Sequence, residues 1–343
     1  MKTKDFSFEL PEELIAQAPP ETRGESRLMI LDPRLKQREH ARFQDFIEGV
    51  DSQTLMVFND SRVRKARVFG TLASGAKLEV IFLRRFNEYS WECLLNKSKR
   101  LKEGQTIHFP EDRVGVISTP TGNVRTLTFT PGIEEEWLDR NGHIPLPPYI
   151  RRPDNDADAQ RYQTVYAKEV GSAAAPTAGL HFTQAALDRL RQRGVETATV
   201  TLHVGLGTFL PVRAEDIRDH QMHREVYRLE PETAERLTAA KRAGRPILAV
   251  GTTSLRTLES AWSGTEFRSG EDSTDIFIYP GYRFGAVDQL FTNFHTPEST
   301  LLMLVSAFGG WDFIRESYEE AVKERYRFFS YGDAMWLKSR TAP

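Results

Sequence analysis

Two hydrophobic rhythms divide the chain. From about Arg67 to Phe129, short runs rich in β-branched and aromatic residues partly alternate apolar with polar positions, the period of half-buried strands. Arg67–Leu72, Lys77–Leu83, Ser90–Leu95, Gln105–Phe109, Val114–Ile117 and Val124–Phe129 read this way. Ser74-Gly75, Glu103-Gly104 and Thr121-Gly122-Asn123 supply turns between them. About six short strands with no convincing helix among them predict a small antiparallel barrel or sandwich.

After about Arg151 the rhythm changes. Thr183–Arg193 reads as a helix capped by Thr183 and stopped by Gly194, and Val195–Val204 as a strand. Pro231–Ala243 is a helix with proline in its first turn, followed by the buried strand Pro246–Val250. Gly251 to Ser254 opens another helix, Asp275–Tyr279 is a strand stopped by Pro280-Gly281, and a final helix runs from about Asp312 to Phe329. Strands alternating with helices predict an α/β layer with a mostly parallel sheet. Leu55–Phe58 is a strand that can join that sheet, and Pro145–Asp158, with four prolines, reads as a linker. The expected organisation is an α/β domain formed by residues 1–61 and 151–343, with residues 62–150 inserted as an antiparallel β-barrel.

Composition narrows the class. The single cysteine, Cys93, rules out an intramolecular disulfide and a cysteine-based zinc cluster. No apolar run reaches membrane-spanning length, and no apolar segment follows Lys2 and Lys4 as in a secretory leader. These features favour a cytoplasmic protein with no membrane partner, and a monomer is expected. The net charge of −2 is uninformative, but its distribution is not. Between Ser61 and Thr130, 13 Lys and Arg face 6 Asp and Glu, a net of +7 inside a remainder of −9. Such asymmetry marks either a polyanion-binding surface or merely a solvated barrel exterior.

Several strings carry candidate chemistry. Gly171 to Phe182 is small-residue chain leading into a helix, suited either to close approach of a ligand or to tight packing around a satisfied His181. His203-Val204-Gly205-Leu206-Gly207 ends a strand in a Gly-x-Gly loop, but the third glycine of a dinucleotide fingerprint is replaced by Leu210 before Pro211. His220 to Glu225 brings two imidazoles and a carboxylate together at no zinc-enzyme spacing, so acid–base chemistry is the expectation and metal is not. Gly251-Thr252-Thr253-Ser254 is a strand-to-helix turn with more hydroxyls than helix capping needs. Asn293-Phe294-His295 and the stretch Tyr326 to Met335, with its Gly332-Asp333 pair, complete the set, although core packing accounts for Phe328 and Phe329. The proline-rich Gly142 to Ile150 is a rigid connector or a functional segment.

Taken in order, these strings resemble one family, the S-adenosylmethionine:tRNA ribosyltransferase-isomerases of queuosine biosynthesis. Asp5-Phe6, Asn59-Asp60-Ser61-Arg62-Val63, Arg161 to Ala167, Val250 to Ser260, Ile276 to Gly281 and Thr292 to Phe308 extend the resemblance over nearly the whole chain, most weakly in the barrel. Arg64-Lys65 and Thr296 depart from the family's usual Ile-Pro-like pair and Leu. The resemblance implies an α/β domain carrying an inserted barrel. It also implies transfer of the ribosyl moiety of S-adenosylmethionine to 7-aminomethyl-7-deazaguanine at a tRNA wobble position, with adenine and methionine leaving and epoxyqueuosine formed. No cofactor beyond that consumed substrate is implied.

Such chemistry needs a base for an acidified C5′ hydrogen, a proton donor for adenine and deprotonation of the attacking amine. Imidazole titrates in the required range, so two of His181, His203, His223 and His295 are expected to act on substrate, with Asp333 orienting one or taking the amine proton. Gly251, Thr252, Thr253 and Ser254 are the expected contacts to S-adenosylmethionine, Arg256 and Asn293 are further expected substrate-binding residues, and Arg84, Arg85, Lys99 and Arg100 are the expected contacts to tRNA phosphates. The competing readings are an S-adenosylmethionine-dependent RNA methyltransferase and a non-catalytic RNA-binding module.

Overall fold

The computed structural model of the protein describes residues 1–96, 98–121, 124–205 and 212–341. The chain opens with a hairpin of β1 (Arg27–Asp32) and β2 (Gln37–Arg42), helix α1 (Phe43–Gly49), and strands β3 (Leu55–Asn59) and β4 (Ser61–Val63). The barrel follows as β5 (Arg67–Leu72), β6 (Lys77–Asn87), β7 (Ser90–Leu95), β8 (Thr106–His108), β9 (Val114–Thr121) and β10 (Val124–Thr130). These close in the order β10-β7-β6-β5-β8-β9, every pair antiparallel. Alternation drives the closure: along β7, Trp91, Cys93 and Leu95 are buried while their neighbours are half-exposed. They meet Val68, Val80, Phe82, Ile117, Leu127 and Phe129 in one core.

Helix α2 (Glu135–Asn141) lays Trp137 and Leu138 into that core. Gly142, just past it, lets two backbones touch, since a Cβ there would lie 1.9 Å from the Lys65 carbonyl oxygen. Next come α3 (Asp156–Arg161), which begins at the end of the expected linker and runs past it, and β11 (Glu169–Ser172), which pairs in parallel with β4. The remainder is α4 (Gln184–Gln192), β12 (Glu196–Leu202), β13 (Glu225–Leu229), α5 (Pro231–Arg242), β14 (Ile247–Val250), α6 (Thr252–Ala261), β15 (Gly270–Thr274), β16 (Gln289–Asn293), α7 (Thr300–Gly309), α8 (Trp311–Lys323) and β17 (Ala334–Leu337).

Nine strands form the main sheet in the order β15-β13-β12-β3-β14-β16-β17-β1-β2. It is mixed, not mostly parallel as the alternation of elements suggested. Pairs β12–β3, β3–β14, β14–β16 and β17–β1 are parallel, while β15–β13, β13–β12, β16–β17 and β1–β2 are antiparallel. For β1–β2 and β12–β13 the connections supply the reason, because a parallel neighbour needs a long crossover and an antiparallel one does not, whereas β13–β15 and β16–β17 are antiparallel across helix-bearing connections. The β1–β2 link is a tight turn with Lys36 at φ 52°, and the described chain on either side of residues 206–211, between β12 and β13, contains no α-helix.

Central strands are buried on both faces. Leu55 and Val57 of β3, with Ile247 and Ala249 of β14, join the core under α5 to α8. Met56 and Phe58, with Leu248 and Val250, join the opposite core with Phe46 and Phe182 beside α1 and α4. Burial on both sides explains why these strands read as unbroken apolar runs.

Several boundaries differ from expectation, two of them markedly. The strand expected at Asp275–Tyr279 sits earlier, at Gly270–Thr274, because Ile276, Phe277, Ile278 and Tyr279 pack on the core from irregular chain. The final helix ends at Lys323, before Arg325 turns the chain at φ 55°.

Candidate active site

The parallel strands β3, β12, β14 and β16 all end at one edge of the sheet, where open α/β sheets place ligands. Asn59 stitches that edge. Its amide nitrogen donates to the Leu202 carbonyl (3.0 Å) and to Thr253 Oγ1 (3.2 Å), and its Oδ1 accepts from the N–H groups of Ser61 (3.1 Å) and Leu202 (3.0 Å). Asp60 beside it accepts from Thr201 Oγ1 at 2.6 Å, and burial raises its carboxyl above the usual range despite that bond.

A pocket opens above this edge. Its walls include Gly251, Thr252 and Thr253 from the start of α6, Thr292, Asn293 and His295 from the end of β16, and Tyr149, Tyr162, Thr177 and Ser330 from segments far apart in sequence. The space between these walls is about 710 Å³ and includes open solvent. Gly251, at φ 90°, makes the sharp strand-to-helix turn, and no side chain caps α6 there. Tyr149 Oη and Ser330 Oγ lie 2.5 Å apart, and burial pushes the Tyr149 phenol up to about 12. Among the described residues no cluster of three or more His, Cys, Asp or Glu could hold a metal ion.

The structure gathers part of the expected site and separates the rest. Gly251, Thr252, Thr253, Asn293 and His295 line one pocket. Ser254 does not, because its hydroxyl turns back to the Val250 carbonyl at 2.8 Å. Arg256 instead forms a buried ion pair with Glu225, whose other oxygen accepts from the Gly205 N–H at 3.1 Å. Residues 206–211, which hold the second glycine of the Gly-x-Gly run, lie outside the described residues.

The histidines differ in setting. His295 Nε2 lies 3.1 Å from Thr292 Oγ1, its backbone N–H donates to Tyr318 Oη at 3.1 Å, and burial holds its imidazole down to about 3. His181 stands behind the pocket wall with both ring nitrogens engaged, 2.6 Å from Ser26 Oγ and 2.9 Å from Asn293 Nδ2. Burial, then the charges of Arg327 and Arg23, holds it down to about 3. His203 packs under Gly171, where a Cβ would lie 2.8 Å from the ring, and burial followed by the Arg64 charge lowers its pKa. His223 is exposed on the surface. Asp333 is buried away from the pocket and accepts the N–H groups of Arg27 (3.0 Å) and Arg327 (2.8 Å), so it pins two backbone segments. Burial raises its carboxyl, and those bonds and the two arginine charges oppose the rise.

On the barrel, Arg84, Arg85 and Arg100 are exposed. Arg84 lies over the Phe86 ring at 4.7 Å. The backbone of Lys99 is in the turn Ser98–Arg100, and its side chain lies outside the described residues. Other cations of this segment are committed internally. Arg64 pairs with Glu135 (2.7 Å), Arg67 with Glu79 (2.9 Å), and the buried Arg125 holds the carbonyls of Ser98 (3.0 Å) and Leu101 (3.2 Å).

Sequence reasoning gave no role to Asn59, Thr292 or Ser330. The signal for Asn59 was its position at the end of an apolar strand, where a side-chain amide can satisfy several backbone groups at once.

Comparison with known proteins gives a consistent result. The family model described as queuosine biosynthesis protein matches residues 3–337. A Treponema denticola protein named S-adenosylmethionine:tRNA ribosyltransferase-isomerase is 51% identical, over 98% of this chain and 100% of its own length. A Clostridioides difficile protein of the same name is 49% identical over the same shares. The crystal structure of an S-adenosylmethionine tRNA ribosyltransferase from Thermotoga maritima aligns with TM-score 0.57 and 36% identity, covering 97% of this chain and 99% of that one.

Proposed function

The chain belongs to the queuosine biosynthesis protein family, and from that premise we propose that it is an S-adenosylmethionine:tRNA ribosyltransferase-isomerase. It moves the ribosyl moiety of S-adenosylmethionine onto the aminomethyl nitrogen of 7-aminomethyl-7-deazaguanine at the tRNA wobble position and isomerises it. Epoxyqueuosine-tRNA, adenine and methionine are the products. No cofactor beyond the consumed substrate takes part, and the enzyme works as a cytoplasmic monomer, with residues 62–150 as the inserted domain.

One observation carries the placement of the chemistry: Gly251 to Thr253 and Thr292 to His295 meet in one pocket at the carboxyl ends of the parallel strands. In this reading Thr252, Thr253 and the uncapped start of α6 bind polar groups of S-adenosylmethionine. Of the four histidines expected to act, His295 alone lines the pocket, so it is assigned a proton transfer on substrate, with Thr292 orienting its ring. His181 and Asp333 act through neighbours instead. Arg84, Arg85, Lys99 and Arg100 contact tRNA phosphates from the barrel.

Incubation with labelled S-adenosylmethionine and precursor-bearing tRNA tests the reading. Free adenine and methionine are expected in step with modified tRNA. A methylated RNA with S-adenosylhomocysteine would replace this reading by a methyltransferase, and absence of turnover by a binding module.

A further inference from the structure

Asn293 is 2% exposed and lines the pocket, yet its Oδ1 has no hydrogen-bond partner among the described residues. A buried carbonyl oxygen left unpaired is costly, and native proteins rarely keep one without a use. Its amide nitrogen, by contrast, is engaged, 2.9 Å from His181 Nε2. That contact requires Nε2 to accept, so the imidazole proton sits on Nδ1 and is donated to Ser26 Oγ, 2.6 Å away.

The elements around this chain of contacts are closely packed. The His181 ring lies against Phe43 at 6.2 Å and meets the Phe291 ring edgewise at 5.7 Å. Ser26 is 2% exposed, and its carbonyl accepts the Phe43 N–H at 3.0 Å. The next residue, Arg27, is fixed by Asp333 through its N–H at 3.0 Å. The position of one proton therefore decides what the pocket wall offers. With the proton on Nδ1 the amide shows its oxygen, an acceptor; with the proton on Nε2 it would turn over and show two N–H donors.

We propose that Ser26, His181 and Asn293 form a positioning relay that presents Asn293 Oδ1 to the pocket, where it accepts a hydrogen bond from an N–H or O–H group of bound S-adenosylmethionine. The inference rests on the reading that this pocket takes S-adenosylmethionine. Ser26 and His181 do not touch the substrate. They keep the amide in one of its two orientations, and His181 stays neutral throughout.

Nitrogen-15 NMR of the wild-type imidazoles tests the relay without any substitution. His181 is expected as the Nδ1–H tautomer, and an Nε2–H signal would overturn the relay. Calorimetric titration with S-adenosylmethionine, without tRNA, supplies a second measurement. Ser26→Ala and Asn293→Leu should each weaken binding roughly tenfold or more, as expected for loss of a buried hydrogen bond. Ser26→Thr, which keeps the hydroxyl, should restore most of it, and the KM for tRNA should stay unchanged in all three. Thr252→Val separates the relay from the pocket reading. If Thr252→Val weakens binding while Ser26→Ala and Asn293→Leu leave it intact, the relay is wrong and the pocket stands. If all three leave it intact, the pocket reading fails and the relay with it.

Discussion

The barrel and the main sheet handle their polar groups in opposite ways. The barrel strands fill its core with apolar side chains, the buried Arg125 tied to the carbonyls of Ser98 and Leu101 being the exception, and Arg84, Arg85 and Arg100 face water. Around the main sheet, Asn59, Asp60, His181, Glu225, Arg256, Asn293, His295 and Asp333 are all buried, and each is tied to backbone or to another side chain. The first arrangement suits a partner recognised by charge at the surface. The second suits a small ligand gripped by groups that water does not reach, where each hydrogen bond counts for more.

The largest expected effect comes from breaking a buried pair in the main sheet. Glu225→Ala leaves the Arg256 guanidinium buried without its partner carboxylate and should cost roughly 3–5 kcal/mol, read as a lowered denaturation midpoint at constant m-value. An unchanged midpoint would mean that this interior is wet enough to erase the contrast with the barrel.

Acidification is the next lever. His181 and His295 are held down to about 3, whereas an unfolded imidazole titrates near 6.5. Between those values the unfolded chain binds the extra protons, so their contribution is complete above about pH 6.5 and is lost as pH falls toward 3. Each should remove roughly 1.4 kcal/mol per pH unit in that window. The raised carboxyls of Asp60, Glu259 and Asp333 act in the opposite sense and blunt the slope. Equilibrium unfolding from pH 7 to pH 5, repeated on His295→Gln, measures the share of one imidazole. An identical slope in the variant would show that His295 is not the group responsible.

Two smaller effects separate the regions by substrate. Thr252→Val with Thr253→Val should raise the KM for S-adenosylmethionine about tenfold, roughly the worth of one hydrogen bond, and leave that for tRNA alone. Reversing Arg84, Arg85, Lys99 and Arg100 together should weaken tRNA binding and flatten its salt dependence by nearly one logarithmic unit for each phosphate no longer neutralised. The reverse ranking would move tRNA to the main sheet. The smallest effect belongs to Glu111→Gln, because the Glu111–Arg140 pair is exposed on the protein surface. Arg140 and Asn141 hold the Glu111 carboxyl down to about 2, yet solvent screens the pair, and no measurable shift in stability is expected.

The same contrast explains what could be read along the chain. Barrel strands pair largely with strands near them in sequence and alternate over much of their length, so all six were legible. So were β3 and β14, whose apolar runs are buried on two faces. Edge strands were not, and neither were interior strands such as β1, β16 and β17. The strand Gln37–Arg42 is almost wholly polar and Gly270–Thr274 holds no apolar side chain, because edge and hairpin pairing needs only backbone. The turn at Gly251 and the amide of Asn293 were visible as chemistry at strand ends. The settings of the histidines were not, since His223 on the surface and His181 behind the wall look alike as letters. Exposure is a property of what packs against a ring, and those partners, Ser26 and Phe43 among them, lie over a hundred residues away.

Strand β17 lies between β16 and β1, so among the sheet's described pairings the hairpin made earliest in the chain is held through Ala334–Leu337. During synthesis the barrel can finish while most of the polypeptide is still inside or behind the ribosome. Leu28, Met29 and Leu31, already paired with β2, must wait for some three hundred further residues before their parallel partner strand arrives. The wall carrying Asn293 waits as well, because its strand borders β17. A nascent chain of this protein is therefore expected to offer its charged surface to RNA well before it can hold a small molecule, and removal of its last ten described residues should abolish the second ability while sparing the first.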